Sequence, residues 1–237
     1  MTHDPPKALI FDVFGTLVDW RTSVARFVAP YLAETTIGPT DFAVAWRNQY
    51  QPAMTRIRDG NRGYVALDDL HLENLNFVLH DFGLPDHFDD ETKAEMNRAW
   101  EHLDPWPDVV DGLNHLKQNA IIAPNSNGSI ALMTRLAKHG SLPWDAILGA
   151  DIARDYKPKS ATYLGCCAAL RLDPSDVMMV AAHNDDLHAA QNLGLQTGFF
   201  PRPTEHGPDQ RSDLSASGDW TVVADDIRGL AKACFPG

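Results

Sequence analysis

Four short segments of this chain carry side chains with which a hydrolase could work. Asp12-Val13-Phe14-Gly15-Thr16 offers a carboxylate and a hydroxyl, and Asn125-Ser126-Asn127-Gly128-Ser129 offers amides and hydroxyls. Lys157-Pro158-Lys159 offers a cation, and His183-Asn184-Asp185-Asp186 offers an imidazole and carboxylates. A carboxylate with an unperturbed pKa of about 3.9 is ionised at neutral pH. It becomes a nucleophile when a cation orients it and water is kept from solvating it. Taken singly, each segment also reads as ordinary structure: a strand end, an Asn-Gly turn, a Lys-Pro loop. Only their order along an alternating strand and helix pattern makes them candidates for one site.

Such a site needs elements that bring the four segments to one edge. In open parallel sheets, ligands gather beyond the carboxyl ends of the strands. Ala8 to Phe11 is a continuous apolar run, as expected of a strand buried on both faces and ending at Asp12 or Val13. Similar runs lie at Ala120 to Ala123, Ala146 to Leu148, Val177 to Ala182, Thr197 to Phe200 and Thr221 to Ala224. Helical spacing is read at Val109 to Gln118, Ile130 to His139, Ala161 to Leu170, Asp186 to Leu193 and Asp225 to Phe235. The alternation predicts an α/β fold, a parallel Rossmann-like sheet flanked by helices. Between Asp19 and His102 no strand-like run appears, and Phe42, Ala45, Trp46 and Gln49 to Ala53, then Leu70, Leu75, Val78 and Leu79, fall at helical spacing. This predicts an inserted helical cap over residues 19–103, with the core formed by 1–18 and 104–237. Asp104-Pro105-Trp106-Pro107 reads as the hinge back, and Pro201 to Gly218 as a surface loop.

The chain has 237 residues, 44% of them apolar, enough for a substantial core. Its formal charge of −12 makes nucleic acid and anionic membrane surfaces poor partners and leaves a small molecule as the expected one. Cys166, Cys167 and Cys234 are odd in number and suit neither a disulfide framework nor a CxxC metal site, so a reducing cytoplasm is expected. Met1 to Pro6 is polar and lacks the pattern of a signal peptide, and no apolar run reaches the roughly 18 residues of a membrane span.

Phe11 to Leu17 (FDVFGTL), Asn125 to Ser129 (NSNGS), Tyr156 to Pro158 (YKP) and Asp185-Asp186 resemble, in order, the four motifs of the haloacid dehalogenase superfamily. Most members are magnesium-dependent phosphatases, in which a second Asp, two positions after the first, protonates an alkoxide leaving group. Here that position is Phe14. An alkoxide gains much from general acid catalysis, whereas chloride, bromide and iodide depart unprotonated. The chain therefore more closely resembles the L-2-haloacid dehalogenases, which need no metal or other cofactor. That resemblance implies Asp12 as nucleophile, Lys157 as the cation that orients it, and Asp186 as partner of Lys157. Thr16 and Ser126 would supply hydroxyl contacts, Ser126 to the substrate carboxylate, and Asn127 would help receive the halide. Arg47, in Trp46-Arg47-Asn48-Gln49-Tyr50, would be the halide ligand reaching over from the cap, and Tyr163 and Phe14 would line the substrate.

The fourth motif departs from the family pattern, because His183 replaces an amide. It could assist the hydrolytic water, bind the substrate carboxylate or fill space, and the residues leave the three open. Asp185 with Asp186 also leaves a magnesium site conceivable. The implied reaction is hydrolysis of a small (S)-2-haloacid to the (R)-2-hydroxyacid through an Asp12 ester. The competing readings are a magnesium-dependent phosphatase and a relative without turnover that only binds. Homodimers are common in the family, and no residue here establishes one.

Overall fold

A computed structural model describes residues 4–60 and 62–236; residues 1–3 of the polar start lie outside the described residues. Six strands form one parallel sheet in the order β5-β4-β1-β6-β7-β8. They are β1 (Ala8–Phe11), β4 (Ile121–Ser126), β5 (Leu148–Gly149), β6 (Val177–Ala181), β7 (Gln196–Phe199) and β8 (Val222–Val223). All four residues of β1 are buried because successive side chains point to opposite faces and both faces are covered. Leu9 and Phe11 enter one core cluster and Ala8 and Ile10 the other. Each fully buried side chain of this size contributes about 1.5–3 kcal/mol. A polar residue at Ile10 would therefore lose that contribution and strand a buried polar group in the centre of the sheet.

The chain leaves the sheet through β2 (Val18–Asp19) and returns through β3 (Asp104–Pro105), which pair antiparallel. The intervening segment is helical: α1 (Trp20–Val28), α2 (Pro39–Asn48), α3 (Tyr50–Asp59), α4 (Leu67–Asp81), α5 (Asp90–Asn97) and a 3-10 turn at Arg98–Glu101. Asp19 starts α1 by accepting a hydrogen bond from the Thr22 N–H, satisfying one of the unpaired amides of a helix start. The helical pattern across Trp46 to Ala53 is interrupted at Gln49. Pro52 in the first turn of α3 has no N–H to give and its ring would crowd a carbonyl one turn back, so two helices form. Trp46 packs edge-on against Trp100, with ring centroids 5.4 Å apart, and its indole N–H donates to the His71 carbonyl. These contacts fix α2 across the layer.

The helices α6 (Val109–Lys117), α7 (Ile130–Gly140), α8 (Ala150–Ala153), α9 (Ser160–Leu170) and α10 (Asn184–Gln191) connect the strands, and α11 (Ile227–Cys234) follows the last one. The segment from Pro201 to Gly218 departs from the expected surface loop. Much of it is exposed, but Arg202 and Glu205 are buried, with Glu205 only 2% exposed. Arg202 donates to the Thr16 carbonyl and the Asp108 carboxylate, and these bonds tie the loop to the end of β1.

Candidate active site

Asp12 follows β1 directly and is 8% exposed. Its Oδ1 accepts from Lys157 Nζ at 2.7 Å, and its Oδ2 accepts from the Thr16 hydroxyl at 2.7 Å. His183 Nδ1 lies 2.9 Å from the same Oδ2. Burial alone would raise the Asp12 pKa, but the Lys157 ammonium and the His183 ring hold it well below the usual carboxylate range. Thr16 also accepts from the Ala182 N–H at 3.0 Å, which locks its hydroxyl toward Asp12.

Lys157 stands between two carboxylates, with Asp186 Oδ2 2.5 Å from its Nζ. Burial would favour the neutral amine, yet Asp12 and Asp186 push its pKa above the ordinary lysine value, so it stays charged. The second Asp186 oxygen accepts from the Tyr163 hydroxyl at 2.5 Å. Tyr163 is fully buried in α9 and acts on the site through Asp186. Asp185 is exposed, while the Lys157 ammonium lies between Asp12 and Asp186.

His183 Nε2 lies 2.8 Å from Glu205 Oε2. Burial opposes a charged imidazole, but Glu205 and Asp12 on its two sides raise its pKa well above the ordinary value. The two carboxylates thus favour the charged ring, the form that donates from both nitrogens. Glu205 is fixed by the Trp20 indole N–H, which donates to its Oε1 at 3.0 Å. Gly15, with φ of +87°, makes room for it: a Cβ there would lie 2.0 Å from Glu205 Oε1. Sequence reasoning missed Glu205. A lone Glu in a polar loop carries no periodicity or spacing that would mark it.

Arg47 reaches from α2 into a box of aromatic rings. Its guanidinium carbon sits 4.1 Å from the Tyr50 ring centroid, 5.5 Å from Trp20 and 5.9 Å from Phe14. Each ring is tied to the site: Phe14 follows Asp12 by two residues, Trp20 donates to Glu205, and Tyr50 receives a hydrogen bond from the Asn127 amide at 3.0 Å. Arg47 Nη1 is buried and has no hydrogen-bond partner. A buried charged donor is costly unless an acceptor completes it, and an anion is the acceptor that a guanidinium N–H favours most. Asn127 Oδ1 accepts from the Lys157 N–H at 2.8 Å, so Asn127 links the lysine loop to Tyr50 of the helical layer. The Ser126 oxygen accepts from the Gly128 N–H at 3.0 Å and keeps its own hydrogen to donate.

The structure therefore brings Asp12, Thr16, Ser126, Asn127, Lys157, His183 and Asp186 together at the carboxyl edge of the sheet, with Phe14, Arg47 and Tyr50 alongside. Comparison with known proteins shows the family. The family of haloacid dehalogenase-like hydrolases matches residues 6–194. An (S)-2-haloacid dehalogenase of Pseudomonas sp. (strain CBS-3) is 30% identical over 90% of this chain and 94% of its own length. The crystal structure of a defluorinating L-2-haloacid dehalogenase superposes with a TM-score of 0.94 at 46% identity, covering 97% of each chain. A second L-2-haloacid dehalogenase structure superposes at 0.91 with 43% identity, covering 96% of this chain and 97% of that one.

Proposed function

Because the chain belongs to the haloacid dehalogenase-like hydrolase family, we propose that it hydrolyses small (S)-2-haloacids to (R)-2-hydroxyacids through an ester on Asp12. The observation that carries this reading is the unpartnered, buried Nη1 of Arg47 in its aromatic box, a receptor for a departing halide. Phe14 adds to it, since no acid stands where a phosphatase needs one. In the same reading residues 19–103 are the cap, and 1–18 with 104–237 the core.

Ionised Asp12, oriented by Lys157 and Thr16, attacks the halogen-bearing carbon opposite the halide. The Ser126 hydroxyl receives the substrate carboxylate, and Arg47 with Asn127 receives the halide. The centre inverts, and Asp12 becomes a neutral ester. Loss of that charge removes one of the two carboxylates that kept His183 protonated. His183 then releases its Nδ1 proton to solvent and faces the ester as a general base, while Glu205 retains the Nε2–H and holds the tautomer. Water attacks the Asp12 carboxyl carbon as Nδ1 takes its proton. The same proton passes to the leaving alkoxide as the acyl–oxygen bond breaks, and the proton left on the new Asp12 carboxyl group passes to His183 Nδ1, which restores the carboxylate and the imidazolium.

The 46%-identical relative is described as defluorinating, which makes fluoroacetate, together with chloroacetate and 2-chloropropionate, a substrate to assay. Halide and phosphate release measured side by side, with and without chelator, tests the whole reading. Halide release that survives chelation is expected; phosphate release restored by magnesium would replace the reading with the phosphatase alternative. Among the described residues no helix is long and apolar enough to cross a membrane. A cytoplasmic site of action suits three buried free cysteines, and the homodimer the family suggests is checked by light scattering.

A further inference from the structure

We propose that His183, Glu205 and His206 form a binding site for a late first-row divalent metal ion, Zn2+ above all, whose occupancy halts the enzyme at the Asp12 ester. The arrest rests on the roles given above to Asp12 and His183; the binding does not.

One ligand atom from each of the three residues lies within 4.8 Å of the others, the only such group among the described residues. Two imidazole nitrogens and a carboxylate oxygen are a zinc-type donor set, and the nitrogens disfavour magnesium and calcium. The outer contacts are already those of a built metal site. A metal-bound imidazole usually donates its other ring N–H to a carboxylate, and here Nδ1 of His183 faces Asp12 Oδ2 at 2.9 Å, leaving Nε2 for the ion. Glu205, 2% exposed, is anchored by the Trp20 indole, which engages Oε1 and leaves Oε2 beside His183. His206 packs its ring 5.8 Å from that of Trp20 and brings Nε2 to 3.6 Å from Glu205 Oε1. It is exposed and on a loop, where its side chain is free of the close packing that fixes Glu205. The mechanism makes no use of His206.

Metal binding at Nε2 releases one proton from the imidazolium to solvent and leaves the other on Nδ1. The first step, in which the Asp12 carboxylate displaces halide, needs no base and proceeds. The second needs a lone pair on Nδ1, which is now occupied by hydrogen, so the ester persists.

The test titrates chelator-stripped full-length enzyme with Zn2+ by calorimetry in two buffers of different ionisation heat, and with Co2+ by visible absorption. One ion should bind per chain, with release of a proton and a cobalt spectrum of low coordination number. With chloroacetate, the Zn2+-loaded enzyme should release one equivalent of chloride in a burst and then stall, and intact mass should show the ester. His206→Ala should fold and turn over like the parent without metal, yet bind Zn2+ at least about tenfold more weakly. Absence of stoichiometric binding, or equal affinity in His206→Ala, would overturn the site. Metal-dependent inhibition with neither burst nor ester would overturn the arrest, and so would binding without inhibition.

Discussion

Replacing Glu205 by Gln keeps the shape of the side chain and removes its charge. The Gln carbonyl oxygen can still accept from the Trp20 indole, which turns the amide NH2 toward His183 Nε2. His183 must then accept at Nε2 and carry its proton on Nδ1, the tautomer that cannot take a proton from water. Both hydrogen bonds survive in neutral form. Since bonds to charged groups are worth about 1.5–3 kcal/mol and neutral ones about 0.5–1.5, folding should weaken by about 2–3 kcal/mol over the two bonds. Loss of a positioned general base costs about 10²–10⁴-fold in rate, or about 2.7–5.5 kcal/mol in the barrier to ester hydrolysis. Attack by Asp12 on carbon should be spared, because Lys157 and Thr16 still orient it. Rapid-quench measurement of chloride from chloroacetate should therefore give a burst of one equivalent followed by slow turnover, with the Asp12 peptide carrying the ester by mass spectrometry. Steady-state turnover equal to that of the parent would refute the pairing of Glu205 with His183 as the hydrolytic base. A burst rate that fell as far as steady-state turnover would refute the separation of the two steps.

Arg47→Ala should cut halide release by at least about tenfold, or 1.4 kcal/mol of transition-state stabilisation, and an unimpaired variant would remove Arg47 from the halide site. In heavy-oxygen water with enzyme in excess, the first product should carry an unlabelled hydroxyl and the label should enter Asp12; label in the product alone would favour direct attack by water. The stability contribution of His183, whose pKa is raised on folding, should be fully present below its unfolded value of about 6.5 and be lost as pH rises through the folded value. Urea unfolding of the parent and His183→Gln should accordingly differ most near pH 6 and converge at alkaline pH, and a gap independent of pH would contradict the imidazolium. Gly15→Ala should displace Glu205 and reproduce the burst of Glu205→Gln, with an added strain cost of about 1–2 kcal/mol from the left-handed backbone.

The sheet and most of the proposed reacting set can be read from local pattern alone. Ala8 to Phe11 and Val177 to Ala181 could be read as strands because burial on both faces demands uninterrupted apolar runs, a pattern carried by neighbouring residues. Asp12, Ser126, Lys157 and Asp186 were legible for a related reason: each follows or adjoins an element whose end can be located, and sheet topology sends those ends to one edge. Tertiary structure alone decided the partners of His183. Glu205 lies 22 residues away in a loop of Pro, Gly, Ser and Asp, and its anchor Trp20 is 185 residues from it. A single long-range contact leaves no period in the sequence, and loop composition points outward even when one carboxylate turns in. Arg47 is similar, since helical spacing placed it on α2, but only packing against Phe14, Trp20 and Tyr50 left one of its buried N–H groups unpaired. Secondary structure follows from local sterics and patterning, whereas the charge state of a buried histidine follows from whatever the rest of the chain places beside it.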